Sequence, residues 1–263
     1  MTDLAFYDAL APLFDVMTDW EARLAAEGPF LRAILAEAGA HSVLDTACGS
    51  GGHALALAQW GYATAGVDAS LPMVELARSK AARAGLAVPF VVADLASLPE
   101  AFGEQKWDAV LCLGNSLPHL LTDDDLIGAL RGMATVMSPG GLLLVQNLNY
   151  DLRWRTQPRF FSPQGGSLEG QEVLVWRFAD YDVPAERIAF HVALFRKAQE
   201  AGWAVEVHTT GQRPLLWAVI ERSLAIAGFE AARAYGQMTL PAPPFEPATS
   251  GDLVIVARRA PRL

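Results

Sequence analysis

The chain has 263 residues, of which 52% are hydrophobic, and carries a formal charge of −9 at neutral pH. That length suits one α/β domain with an insertion, and no apolar run reaches the roughly 20 residues of a membrane span. With no basic stripe, the acidic balance argues against nucleic acid, which is bound largely through Lys and Arg on phosphates.

Residues 1–41 are expected to form a helical cap. Tyr7, Leu10, Phe14 and Met17 recur at helical spacing, and a second helical stretch follows from Trp20, with a break expected at Gly28-Pro29. The first residues lack a basic segment leading into an apolar core, so no secretion signal is expected. Cys48 and Cys112 are too few for a disulfide scaffold or a structural zinc site. Both read as packing residues in a reducing cytoplasm, and no metal is expected.

The most informative stretch comes next, Val43-Leu-Asp-Thr-Ala-Cys-Gly-Ser-Gly51. Val43 and Leu44 end a strand over 42–45, Asp45 sits at its C-terminal tip, and Gly49 and Gly51 open a turn into a helix over 53–60. A G-x-G-x-x-A pattern at this place also fits a dinucleotide site. A fixed carboxylate at Asp45 would, however, repel a pyrophosphate and attract an amino group. S-adenosylmethionine, with an ammonium, a sulfonium and an adenosine, suits such a site. The bland alternative is an ordinary strand–turn–helix whose glycines serve packing.

Two further carboxylates fall at successive strand ends. A strand over 63–67 leads into Asp68-Ala69-Ser70, 17 residues past Gly51, where Asp68 can accept from ribose hydroxyls. A strand over 89–93 leads into Asp94, placed to accept from an adenine amino group, and Met73 offers a polarizable surface for the adenine face. Singly, each Asp could be only a helix cap. Strands over 107–113 and 141–147 complete a parallel, doubly wound pattern with its site at the strand C-termini. Between them Thr122-Asp-Asp-Asp starts a helix that Ser138-Pro-Gly-Gly is expected to close.

Residues 150–210 then change character. An Arg-, Pro-, Gly- and Ser-rich stretch to 170 precedes alternating segments at 171–181, 187–197 and 203–210, an inserted antiparallel lid. Its aromatics, Phe160, Phe161, Trp176, Phe178, Tyr181, Phe190, Phe195 and Trp203, could wall a pocket or pack the lid onto itself and the sheet. His191 and His208 read as structural. A helix over 215–227 and strands near 231–237 and 252–258 return to the main sheet. The tail Arg258-Arg259-Ala-Pro-Arg262 reads as a solubilising end.

In the order of these motifs the chain resembles the class I S-adenosylmethionine-dependent methyltransferases, over roughly residues 40–150 and 215–258. Within them it is most similar to the glycine/sarcosine N-methyltransferases, through Val43–Gly51, Val67-Asp-Ala-Ser70 with Met73, Trp107-Asp-Ala-Val-Leu-Cys-Leu-Gly-Asn-Ser116 with His119, and Asn149-Tyr-Asp151. The resemblance implies a Rossmann-like seven-stranded, mostly parallel sheet, built from 42–149 and 211–263. It implies S-adenosyl-L-methionine as cofactor, lined by Asp45, Ala47, Gly49, Gly51, Asp68, Ala69, Met73, Asp94, Leu95 and the Leu113 backbone. It further implies that Arg23 meets the cofactor carboxylate, His119 closes the methionine end, and Asn115, with Tyr150, orients the acceptor.

One departure bears on the substrate. Glycine-methylating relatives carry an arginine before the Asn-Tyr-Asp segment as a clamp on the substrate carboxylate, and here that position is Leu148. A carboxylate facing leucine loses hydration without a partner, so glycine itself is disfavoured. Arg153, Arg155, Arg177 or Arg213 could supply a substitute. The expected activity is methyl transfer to a small-molecule acceptor, with nitrogen favoured, by in-line displacement. Alternatives are a nucleic-acid or protein methyltransferase on the same fold, or a non-catalytic cofactor-binding regulator. A homo-oligomer is left open.

Overall fold

The structure is a computed structural model that describes residues 4–168, 170–198 and 202–261; Arg262 of the basic tail lies outside them. Eleven strands form two sheets among the described residues. The larger holds β1 (Ser42–Thr46), β2 (Ala63–Asp68), β3 (Phe90–Val92), β4 (Trp107–Cys112), β5 (Met137–Leu148), β10 (Phe229–Tyr235) and β11 (Asp252–Arg259). Its order is β10-β11-β5-β4-β1-β2-β3, with β11 alone antiparallel to its neighbours. This is the expected seven-stranded, mostly parallel, doubly wound sheet. The chain reverses direction across the sheet between β1 and β4, and in such sheets ligands bind at the strand C-termini beside this switch.

Alternation along the central strands divides the core in two. Val43, Ala109, Leu111, Leu144, Val254 and Val256 face one side, while Leu44, Val110, Cys112, Val145, Ile255 and Ala257 face the other. Strands covered on both faces carry apolar residues at every position. The first face is covered by α3 (Trp20–Glu37), which follows the short α1 (Leu4–Leu10) and α2 (Phe14–Met17). Helices α4 (Gly52–Gln59) and α5 (Leu71–Ala84) pack beside β3. On the second face lie α6 (Leu98–Phe102), α7 (Asp123–Thr135) and, later in the chain, α9 (Trp217–Ile226). No helix among the described residues is long and apolar enough to cross a membrane.

Two sequence expectations fail here. Helix α3 runs without a break through Gly28-Pro29. Proline gives up one helical hydrogen bond, but Phe30, Leu31, Ile34 and Leu35 beyond it are buried, and that burial outweighs the loss. Nor does Ser138-Pro-Gly-Gly close a helix. Helix α7 ends at Thr135, and β5 starts at Met137, with a register shift where it leaves Trp107 and Gly140 at φ +73°.

Helix α8 (Tyr150–Thr156) and strand β6 (Gln164–Leu168) occupy the stretch read only as a compositional change. Strand β6 joins β7 (Gln171–Asp182), β8 (Arg187–Ala198) and β9 (Gly202–Gln212) in an antiparallel sheet. Its inner face places Val173, Val175, Val192 and Leu194 against Phe6, Leu10 and Leu13 of the N-terminal cap. The cap therefore joins lid to main sheet.

Candidate active site

The C-terminal ends of β1, β2 and β4 open into one crevice of about 840 Å³, a size suited to a small-molecule site. The N-terminal helices roof it with Tyr7, Phe14, Trp20, Arg23 and Glu27, and the lid closes one side with Arg177, Phe190, Val192 and Gln212. The turn after β1 is pressed against that roof. A Cβ on Gly49 would lie 3.1 Å from the Phe14 ring, and one on Gly52 would penetrate Trp20. Backbone is thereby brought bare to the crevice.

Asp45, Asp68 and Asp94 converge on this space. The Asp45 side chain is 1% exposed, and its Oδ2 has no hydrogen-bond partner. Burial pushes its carboxyl up to about 7, opposed by the Ala54 backbone N–H and the Arg23 charge. An orphaned buried carboxylate oxygen facing a cavity demands a donor, and a ligand ammonium is one that fits. Asp68 accepts from Gly49 N at 2.8 Å and from Ser70 N at 2.9 Å. Its carboxyl is raised by burial against those two bonds. Each carboxylate oxygen can accept more than one bond, so ribose hydroxyls can join. Asp94 caps the following turn through Oδ1, taking Ala96 N and Ser97 N. It is exposed and still borders the crevice, beside Leu95 and Met73.

Arg23 is not a solvated helix arginine. Its Nε donates to Glu27 Oε1 at 2.9 Å, while Glu27 Oε2 lies 2.7 Å from His53 Nε2. Burial pushes the Glu27 carboxyl up, but His53 and Arg23 together hold it below the usual range. Glu27 and His53 of this acidic–basic cluster, with Trp20 packed edge-on to His53, left no sequence signal. Its three members come from α3 and the start of α4, 26 residues apart between Glu27 and His53.

At the lid end Gly114 and Asn115, at φ +82° and +69°, turn the chain sharply after β4. A non-glycine residue held there is strained, and such strain concentrates at functional sites. Asn115 Oδ1 accepts from Leu148 N at 3.0 Å, and its Nδ2 donates to the Tyr150 hydroxyl at 3.0 Å. Tyr150 donates in turn to Gln212 Oε1 at 2.9 Å. Gln212 Nε2 lies 3.2 Å from His119 Nε2, which also meets the Tyr7 hydroxyl at 2.7 Å. Burial raises both the Tyr7 and Tyr150 phenols above their ordinary value. Tyr7 had been legible only as part of a helical stripe, and Gln212 not at all.

Most of the expected residues therefore share the crevice: Arg23, Asp45, Ala47, Gly49, Asp68, Ala69, Met73, Asp94, Leu95, Leu113, Asn115 and His119. Two stand outside its lining. Gly51 lies under it at φ +80°, where a Cβ would come within 2.9 Å of Ala77 and Phe90; it serves helix packing. Tyr150 is buried behind Asn115 and touches the site through it. Of the two readings of the lid aromatics, the pocket wall holds for one residue. Only Phe190 of those lid aromatics borders the crevice, because strand register sends Trp176 and Phe178 to the opposite face from Arg177. There Phe160 stacks on Trp176, and Phe178 on His191. His191 is held by Thr209 and Asp180, and His208 sits near Glu206; neither borders the crevice.

A doubly wound sheet with acidic strand tips and a bare glycine turn defines a nucleoside-binding class of protein, and comparison with known proteins narrows it. A family model described as "Methyltransferase domain" matches residues 43–141. A glycine/sarcosine N-methyltransferase of Parasynechococcus marenigrum is 32% identical over 225 residues, 85% of this chain and 75% of the relative. One from Aphanothece halophytica is 33% identical over 147 residues, 56% of this chain, and the match spans 55% of that relative's length. A solved S-adenosylmethionine-dependent methyltransferase from Clostridium acetobutylicum has the same fold at TM-score 0.76 and 17% identity, with 96% of each chain covered.

The chain belongs to the class I S-adenosylmethionine-dependent methyltransferases. Its cofactor is S-adenosyl-L-methionine.

Proposed function

We propose that this protein moves a methyl group from S-adenosylmethionine to a small-molecule acceptor, a nitrogen by preference. The observation that carries this reading is the buried, partnerless Asp45 oxygen beside Asp68 in a crevice whose far end is a polar network centred on Asn115. The names of the N-methyltransferase relatives support nitrogen.

Bound S-adenosylmethionine supplies a methyl already activated by its positive sulfur, open to in-line attack by a lone pair. The chain's own tasks are then to position and to exclude water. In this reading Asp45 takes the amino group, Asp68 the ribose hydroxyls and Arg23 the carboxylate. Asp94, Leu95 and Met73 surround the adenine. Asn115 keeps one Nδ2 proton and spare Oδ1 lone pairs for the acceptor, with its orientation fixed by Leu148 N and Tyr150. His119 and Tyr7 close the space between roof and lid. Leu148 disfavours glycine, since nothing at that position answers a carboxylate.

The test is transfer of labelled methyl to a panel of amines, amino acids and phenols. Label is expected on amines that are not glycine. Tight cofactor binding with no transfer to any acceptor would replace the enzyme reading with that of a cofactor-binding regulator.

A further inference from the structure

Arg177 and Arg153, both on the lid, have no anion to match them. Arg177, on β7, is half-buried and borders the crevice. Its Nη2 donates to Gln164 Oε1 at 2.8 Å, a neutral partner. Arg153, on α8, lies with its guanidinium carbon 5.1 Å from the centre of the Phe161 ring. Burial, and after it the Arg153 charge, lower the proton affinity of Arg177. Among the described residues no carboxylate lies at ion-pairing distance from either. Asp252 feels Arg153 only at longer range, and its own carboxyl is raised by burial.

The two other candidate clamp arginines are engaged elsewhere. Arg213 is paired with Asp123, and Arg155 donates to the Ala248 carbonyl. Two like charges gathered at a half-buried edge without a counter-ion repel each other, and bringing them there is unfavourable unless an anion joins them. A guanidinium fork is the side chain best shaped for a carboxylate or phosphate. Only one Arg177 donor is engaged by Gln164, so a fork remains for a ligand.

Register places this pair at a distance from the Asn115 network. Arg177 lies opposite Val192 on β8, whereas Gln212, tied to His119 and Tyr150, lies opposite Ile188. Four residues of strand separate those positions, about 13 Å of backbone. The long Arg177 side chain closes part of that gap. An amine held at Asn115 and an anion held at Arg177 are therefore farther apart than the single methylene of glycine permits.

We propose that Arg177, supported by Arg153, binds an oxyanion group of the methyl acceptor, so that the substrate is an amine bearing a carboxylate or phosphate several bonds from its nitrogen. This rests on the methyltransferase reading and deepens it. It also accounts for the leucine at 148: the acceptor's anion is moved from the tip of β5 to the lid.

The experiment is calorimetry on protein saturated with S-adenosylhomocysteine, titrated with γ-aminobutyrate, O-phosphoethanolamine and n-butylamine. At least one anionic amine is expected to bind about tenfold or more tightly than n-butylamine, a difference of about 1.4 kcal/mol. Whichever anion binds better tells carboxylate from phosphate. Arg177→Gln should abolish the preference while S-adenosylhomocysteine affinity and melting temperature stay unchanged, which separates lost recognition from lost folding. Arg177→Lys, keeping charge but not the fork, should retain only part of it. Equal binding of charged and uncharged amines, no binding of any anionic probe, or an unaltered preference in Arg177→Gln overturns the proposal. Failure of wild type to bind S-adenosylhomocysteine at all would strike the underlying methyltransferase reading instead.

Discussion

Asn in place of Asp45 separates stability from binding. In the ligand-free protein the Asp45 carboxyl is buried and one oxygen lacks a partner, so its proton is held up to about 7 against an ordinary 3.8. A carboxyl whose folded value exceeds its unfolded value is stabilising only while protonated. Stability should therefore fall as pH rises from about 4 to 7 and then level off. That difference corresponds to roughly 4 kcal/mol, as an order of magnitude. Asp45→Asn removes the ionised form altogether. At about pH 8 the ligand-free variant should be more stable than wild type by a few kcal/mol, and at about pH 4 the two should be nearly equal. Cofactor affinity should move the other way, dropping about tenfold or more, since the amide cannot ion-pair with an ammonium. Wild-type affinity should also rise with pH between about 5.5 and 7, where an α-amino group is still charged. Urea unfolding at the two pH values and calorimetric titration supply the readings. If the variant is destabilised equally at both pH values, or wild-type affinity is flat over that range, the assignment of Asp45 as the uncompensated acid is wrong.

Three other outcomes follow from the same geometry. Asp68→Ala should weaken S-adenosylmethionine by about tenfold or more by calorimetry, because it loses the ribose acceptor and frees Gly49 N and Ser70 N; unchanged affinity removes the ribose assignment. Gly51→Ala should cost roughly 1–3 kcal/mol in chemical denaturation, from a left-handed backbone and a 2.9 Å contact, whereas a direct cofactor contact would show as a binding loss in protein that remains folded. Leu148→Arg should raise turnover with glycine in a radiolabel assay, and a wild type already active on glycine refutes the clamp argument.

Much of the fold could be read from local sequence because its determinants are local. Period-two apolar runs, glycine turns and a Thr122 cap that accepts from Asp125 N act within a few residues of chain. The convergence of Asp45, Asp68 and Asp94 was legible for a related reason: alternating strands and helices in a parallel sheet bring successive strand tips to one edge. The Gly28-Pro29 break was misread because local propensity is overridden when the residues beyond it are buried against the sheet.

The sequence alone thus determined the sheet, its acidic edge and the nucleoside class of its ligand. Only the tertiary structure decided which side chains complete the site. Tyr7 meets His119 across 112 positions of chain, and Tyr150 meets Gln212 across 62. Register alone sends Arg177 toward the crevice and Trp176 away from it. Contacts of that range depend on how the lid docks on the N-terminal cap, a packing of Val173, Val175, Val192 and Leu194 on Phe6, Leu10 and Leu13 that no stretch of sequence encodes by itself.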